Sequence, residues 1–145
     1  TILLGTPYRM RREKFHRFGA RCQQKFFKYK KKSYPIFSPG PSVTKLITYQ
    51  VYPLSSALEA LAVVRQVREK DIFSRIKSPV FIAQAARDHL IERDSLRLIS
   101  KKLRTNKIIC KTLQGAYHNF IADRRQSHIY ADILNFANRV RKKQL

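Results

Sequence analysis

Two apolar runs separated by an amphipathic stretch form the most regular hydrophobic pattern in the chain. Residues 79–84 (PVFIAQ) predict a buried strand of a parallel sheet, because the run is almost wholly apolar, starts at a proline and ends in small residues. Leu96, Ile99 and Leu103 then recur at the spacing of one helix face. Residues 108–113 predict the next strand, and residues 115–120 (GAYHNF) turn the chain after it.

The pattern on either side of this region predicts further strands and helices. Residues 1–6 favour a strand that ends at Pro7, and Ser56-x-x-Glu59 matches a capping box at the head of a helix. Two apolar stripes at helical spacing are Leu58, Leu61, Val64 and Val67, and Ile129, Ile133, Phe136 and Val140. Alternating strands and helices indicate an α/β fold, with a parallel sheet, flanking helices and right-handed crossovers.

The segment between the first strand and the first of these helices has a different character. Residues 9–32 hold 11 Lys and Arg against one acid, Glu13, and residues 33–52 are a proline-containing connector. Five side chains at near-helical spacing predict an amphipathic helix in the basic part: Phe15, Phe18, Cys22, Phe26 and Tyr29. Such a helix either adsorbs to an anionic membrane or nucleic acid, or docks its aromatic rings on the domain.

Composition limits the class of protein. A chain of 145 residues with 43% hydrophobic content is globular, and its net charge of +22 favours anionic partners without specifying one. Cys22 and Cys110 have no metal-binding spacing, so we expect both to be buried and reduced, with a disulfide left open. No apolar run could span a bilayer, which predicts a cytoplasmic location, with peripheral membrane attachment as the alternative. The start on an apolar strand without Met predicts that the chain begins inside a longer protein.

From residue 53 onward the chain carries a recognisable pattern. Its parts are Ser-Pro-Val-Phe-Ile-Ala-Gln-x-x-x-Asp-x-Leu-Ile, an amphipathic helix, a strand, Gly-x-x-His-Asn and a closing helix. This pattern resembles the C-terminal half of α/β-hydrolases, carboxylesterases and monoacylglycerol lipases above all. The resemblance implies that residues 1–8 and 53–145 belong to the hydrolase core and residues 9–52 to a basic cap. Ala85, Ala86 and Tyr117 depart from the usual residues of the family.

The resemblance also implies catalytic roles for two residues, with Asp88 as the acid and His118 as the general base of a Ser-Asp-His triad. Such a pair lets a histidine accept the serine proton near neutral pH. The nucleophile elbow G-x-S-x-G is missing, because the only glycines are Gly5, Gly19, Gly40 and Gly115. The serine, the oxyanion hole and the N-terminal half of the hydrolase core are therefore expected upstream, and the chain alone lacks the parts of a complete enzyme.

Other functional classes stay open at this stage. Asp88 also suits a turn residue, and His16, His89 and His128 have no catalytic context. The alternatives to an esterase or lipase acting on ester or lipid-like substrates are a non-catalytic remnant that binds an anionic partner, and a nucleic-acid-binding protein. The latter is disfavoured because no recognition motif accompanies the charge. No cofactor-binding loop or metal-ligand spacing is found, so neither cofactor nor metal is expected.

A geometric expectation follows from the predicted sheet. If residues 79–84 and 108–113 are neighbouring parallel strands, Asp88 and His118 leave the same edge of the sheet. We therefore expect a carboxylate oxygen of Asp88 within hydrogen-bond distance of a ring nitrogen of His118. The other ring nitrogen should face a cavity or the surface.

Overall fold

The structure is a computed structural model that describes residues 1–32 and 49–145, so most of the predicted connector lies outside the described residues. Its strands and helices, in chain order, are β1 (Ile2–Leu4), α1 (Glu13–Gln23), β2 (Tyr29–Lys31), β3 (Val51–Pro53), α2 (Leu54–Glu69), β4 (Val80–Ala85), α3 (Ser95–Lys102), β5 (Ile108–Leu113) and α4 (His128–Arg141). Short 3-10 helices span Ile72–Arg75, Phe120–Ala122 and Arg124–Gln126. None of the helices in these two ranges has the length and apolar content that crossing a bilayer requires.

A parallel sheet in the order β1-β4-β5 forms the centre of the fold. β4 lies in the middle, and all six of its residues are buried. Its register runs from Val80 opposite Ile108 to Ala85 opposite Leu113, so the two strands end together. The prediction of an α/β fold with a parallel sheet and flanking helices is confirmed.

Each face of the sheet has its own apolar core. On one face, Phe81 packs with Ile129 and Phe136 of α4. On the other, Val80 and Ile82 pack with residues that include Ile99 of α3. Side chains of alternate residues in a strand point to opposite faces, so a continuous apolar run such as β4 can serve both cores. Full burial of each large apolar side chain contributes about 1.5–3 kcal/mol, so Val80, Phe81 and Ile82 make this central strand a substantial source of stability.

The basic segment differs from its prediction. Helix α1 ends at Gln23, and Tyr29 lies instead in β2, which pairs antiparallel with β3. Tyr29 stands opposite Pro53, and the amide of Lys32 donates to the carbonyl of Gln50 at 2.8 Å. The ribbon gives the backbone of this lysine-rich stretch hydrogen-bond partners, whereas a helix there would have stacked like charges on successive turns.

The predicted capping box is wrong, because Ser56 lies inside α2 and Pro53 precedes the first helical residue. Pro53 closes β3 in an extended conformation, and the amide of Leu54 donates to the carbonyl of Lys28 at 3.0 Å. Leu54 is itself buried. The helix is therefore started by its junction with the β2–β3 ribbon and by burial of its first residue, rather than by a side-chain cap.

The prediction of two buried cysteines is also wrong, since Cys22 and Cys110 are both exposed and free. Cys110 belongs to the edge strand β5, and the short helix α3 packs Ile99 against β4 and the start of β5 without covering the sulfur. Neighbouring atoms still desolvate the thiol enough to raise its pKa. The protonated thiol, a poor nucleophile, is therefore favoured.

Helix α1 is fastened to α2 by a bidentate ion pair. Both carboxylate oxygens of Glu13 accept from the guanidinium of Arg68 at 3.0 Å, and the same guanidinium donates to the carbonyl of Tyr8 at 3.2 Å. These side chains are only 13% and 26% exposed. The hydrogen bond from Arg68 holds the pKa of Glu13 below its ordinary value.

Glu13→Gln should lower the free energy of unfolding by about 1–2 kcal/mol near neutral pH, because a charged, bidentate contact is lost. The folded pKa of Glu13 is lowered, so its stabilisation is complete above the ordinary glutamate value and disappears as pH falls through the lowered value. Urea denaturation of both proteins across this range measures the difference. Glu59→Gln, at an exposed site on α2, is the control and should change stability by less than about 0.5 kcal/mol. A difference between Glu13→Gln and the parent that does not shrink in acid would contradict the assignment.

Candidate active site

The carboxyl ends of the three parallel strands bring three functional candidates to one edge of the sheet. Gly5 directly follows β1, Asp88 lies in the loop after β4, and His118 lies in the turn after β5. This edge is where open α/β sheets place ligands and chemistry. The predicted common edge is thus present in the structure.

Asp88 and His118 are in direct contact. Oδ2 of Asp88 lies 2.8 Å from Nδ1 of His118, the distance expected for a hydrogen bond. A carboxylate can only accept, so Nδ1 carries the proton and a neutral ring keeps the lone pair on Nε2. The geometry expected from the sequence is therefore the geometry that the structure has.

The second oxygen of Asp88 organises its own loop. Oδ1 accepts from the backbone N–H of Leu90 at 2.8 Å and of Ile91 at 3.0 Å, and the residue is only 3% exposed. Side-chain bonds to the backbone two and three residues ahead are typical of aspartate turns. The two interpretations of Asp88, as turn residue and as partner of a histidine, are therefore both true of its structure.

Backbone hydrogen bonds fix this loop on two sides. The amide of Arg87 donates to the carbonyl of Ala116, two residues before His118. On the other side, the amide of Arg11 donates to Leu90 and the carbonyl of Arg9 accepts from Glu92. The acid loop is therefore tied both to the histidine turn and to the segment that follows β1.

Gln84 supplies a further fixed point that the sequence analysis missed. Its buried amide donates from Nε2 to the carbonyl of Glu92 at 3.0 Å and accepts at Oε1 from the amide of Leu96 at 2.9 Å. Both partners lie beyond Asp88, so the end of β4 holds the far side of the loop. The available signal was an amide side chain at the end of an otherwise apolar buried run, since a buried amide requires polar partners.

Gly5 is the second residue whose place was not foreseen. It has a φ of +55°, and a Cβ there would lie 3.5 Å from Cε1 of His118. The imidazole thus packs on the end of β1, and the left-handed backbone favours glycine. The available signal was a glycine near the end of the strand predicted at residues 1–6.

The far ring nitrogen of His118 is available to another group. The side chain is 27% exposed, and Nε2 has no hydrogen-bond partner among residues 1–32 and 49–145. Tyr117, one of the departures from the family pattern, packs its ring against exposed His89 with centroids 5.5 Å apart. The histidine is therefore oriented by Asp88 on one nitrogen and open at the other. His16 and His128 lie on α1 and α4, outside the site.

A comparison with models of protein families identifies the family of this chain. The model of the dienelactone hydrolase family matches residues 47–141, which is more than half of the chain. The chain belongs to the dienelactone hydrolase family. Its members are α/β-hydrolases, so the resemblance drawn from the sequence pattern is confirmed at the level of the superfamily.

Solved structures agree with this family assignment in fold. One, from work on the metagenome-derived lipolytic enzymes LipS and LipT, has a TM-score of 0.77 at 20% identity, covering 95% of this chain and 54% of that one. The monoacylglycerol lipase of Paleococcus ferrophilus gives 0.64 at 14% identity, with 84% and 51% covered. A soluble variant of monoglyceride lipase from Saccharomyces cerevisiae, in complex with a substrate analog, gives 0.67 at 10% identity, with 95% and 55% covered.

This dienelactone hydrolase family member spans about half the length of those solved chains. At such low identity they show its fold alone. No curated protein matches its sequence significantly. The family domain and the shared fold identify this chain as part of an α/β-hydrolase fold.

Asp88→Asn should switch the neutral tautomer of His118 from Nδ1–H to Nε2–H. The two N–H donors of the loop retain the carboxamide oxygen, which turns the NH₂ group toward Nδ1 and forces that nitrogen to accept. Long-range ¹H–¹⁵N NMR at alkaline pH distinguishes the two tautomers.

Asp94→Asn is the matched control for this switch, because Asp94 pairs with Arg9 outside the site. It should leave the Nδ1–H tautomer in place. Persistence of Nδ1–H in Asp88→Asn would show that the contact does not set the tautomer.

Proposed function

We propose that this chain is the C-terminal portion of a serine hydrolase of the carboxylesterase or lipase type. It supplies Asp88 and His118 to a Ser-Asp-His triad whose serine lies outside these 145 residues. The observation that carries the proposal is the 2.8 Å contact between Oδ2 and Nδ1, at the carboxyl edge of parallel strands, with Nε2 left open.

Each residue has a defined role in this mechanism. Nε2 of His118 accepts the proton of the serine hydroxyl as its oxygen attacks the ester carbonyl, and then returns that proton to the departing alkoxide. Asp88 holds the ring in the required tautomer and stabilises the imidazolium formed in between. A water molecule, deprotonated in the same way, then releases the acid from the acyl-enzyme. The anchored loop keeps the carboxylate in place throughout, which limits the reorganisation that the reaction requires.

Three observations support the placement of the serine outside the chain. No two of the four glycines are four residues apart, so G-x-S-x-G is absent from the sequence. The similar solved chains are about twice as long as the part that this chain matches. Strand β1 has β4 as its only partner strand among the described residues, which leaves an open edge where an N-terminal half of the core could add strands.

Substrate class and domain division are part of the same proposal. The lipolytic and monoacylglycerol lipase descriptions of the similar structures favour carboxylic esters, including lipid-like ones, as substrates. Residues 1–8 and 53–145 would form the core portion and residues 9–52 the cap. The backbone hydrogen bonds of Arg9 and Arg11 with the acid loop support a cap that begins beside the proposed site.

One observation favours a second function. The basic segment has 11 Lys and Arg, and it exposes Phe15 and Phe18 at 71% each. An anionic partner could therefore bind this segment whether or not catalysis occurs. A non-catalytic hydrolase remnant would keep this surface and have no serine in trans or upstream. Activity measurements separate the two functions.

The 145-residue chain alone should show no labelling by a fluorophosphonate and no hydrolysis of short p-nitrophenyl esters above background. In a longer product of the same reading frame that carries G-x-S-x-G, hydrolysis should appear. Asp88→Asn and His118→Ala should then each lower kcat/KM by about a thousandfold or more. His128→Ala, at an exposed site on α4, is the control and should leave the rate unchanged.

Stoichiometric labelling of a serine within the 145 residues would overturn the proposal. So would a longer product whose hydrolysis is insensitive to both substitutions. A reading frame with no such serine would favour the non-catalytic function.

A further inference from the structure

Helix α1 has one face docked on the protein and an opposite face in solvent. Glu13 binds Arg68 of α2, and Ala20, two turns along the same side, is buried. At 100° per residue, Phe15, Phe18 and Cys22 project from the opposite side. The prediction that the aromatic rings dock on the domain is wrong, because the helix docks through its polar and small residues.

The outward face is apolar and highly exposed. Phe15 and Phe18 are each 71% exposed. Cys22, one helical turn after Phe18, is exposed as well. Directly beyond the helix, Phe26 and Phe27 are also exposed, at 82% and 64%. Large rings grouped this way are unusual on a monomeric surface and indicate an interaction site.

Cations border the aromatic residues. Lys14 and Arg21, two turns apart, follow one side of the Phe15–Phe18 stripe. Beyond the helix, Lys28 lies over the ring of Tyr29, with Nζ 5.5 Å from its centroid. Apolar rings bordered by Lys and Arg are the features of helices that lie in the interface of an anionic membrane.

We propose that the outward face of α1, together with residues 26–29, binds the surface of a bilayer that contains anionic lipid. The phenylalanine rings enter the boundary between headgroups and acyl chains, while Lys14, Arg21 and Lys28 attract the anionic headgroups. A duplex nucleic acid would use the cations but leave the phenylalanine stripe in water, so the rings favour lipid. The surface makes no use of Asp88 or His118, and the inference therefore holds or fails independently of the catalytic proposal.

Sedimentation with vesicles tests the inference on the 145-residue chain. It should bind phosphatidylcholine vesicles that contain about one-third phosphatidylserine, and binding should weaken as salt screens the charges over a Debye length of about 8 Å at physiological ionic strength. Binding to pure phosphatidylcholine should be at least about tenfold weaker, since each cation near the surface contributes a several-fold gain in affinity.

Matched variants separate the two contributions. Phe15→Ser with Phe18→Ser should lower affinity by about tenfold or more, whereas Val63→Ser with Leu134→Ser, at exposed apolar sites on α2 and α4, should not. Lys14→Glu with Arg21→Glu should abolish the preference for phosphatidylserine. Lys101→Glu with Lys107→Glu makes the same change in net charge away from α1 and should retain that preference.

Equal binding to both kinds of vesicle, or no binding at low salt, would overturn the inference. Full affinity of the double phenylalanine variant would do the same, since the cations alone would then suffice. Tighter binding to single- or double-stranded nucleic acid than to anionic vesicles would assign the surface to that partner instead. Circular dichroism of every variant distinguishes loss of binding from loss of the fold.

Discussion

The burial of β4 between β1 and β5 is the constraint on which the rest of the structure depends. Parallel pairing in this register ends β4 and β5 at the same level, with Ala85 opposite Leu113. The loops that follow must therefore leave from one edge, and their polar residues meet there without any special long-range contact. The chain needs both apolar cores to hold this strand, because neither face of a parallel sheet can remain in water.

Asp88 uses its two oxygens for different tasks. Oδ1 satisfies two amides of its own loop, and Oδ2 is thereby directed to His118. A loop residue that served only the turn would leave the histidine free to rotate, and one that served only the histidine would leave buried amides without partners. The same carboxylate therefore couples local backbone order to the orientation of the His118 ring.

Strong periodicity explains which elements the sequence predicts well. β5 has its predicted bounds, and β4 is shifted by one residue. α4 contains its predicted stripe, and α3 contains Leu96 and Ile99, while Leu103 directly follows its last residue. These elements are predictable because burial forces apolar residues into one period. The prediction was wrong where tertiary contacts override local signals, as at the start of α2, where pairing with residue 28 replaces the capping box. The exposure of Cys110 was not predicted, because the sequence alone does not show that β5 lies at the edge of the sheet.

The candidate site shows the same division. Asp88 and His118 could be found because each follows a predictable strand. Gly5 acts through a contact with His118, far along the chain, and Gln84 through hydrogen bonds to backbone groups beyond the acid loop. Those contacts make the orientation of His118 a property of this chain alone: the acid loop, the histidine turn and the end of β1 all lie within it. An incoming hydroxyl would then need only to reach Nε2, since the other nitrogen is already committed. In the proposed triad, His118 would therefore require no reorganisation when the nucleophile is supplied, which is the condition that electrostatic preorganisation sets for efficient acyl transfer.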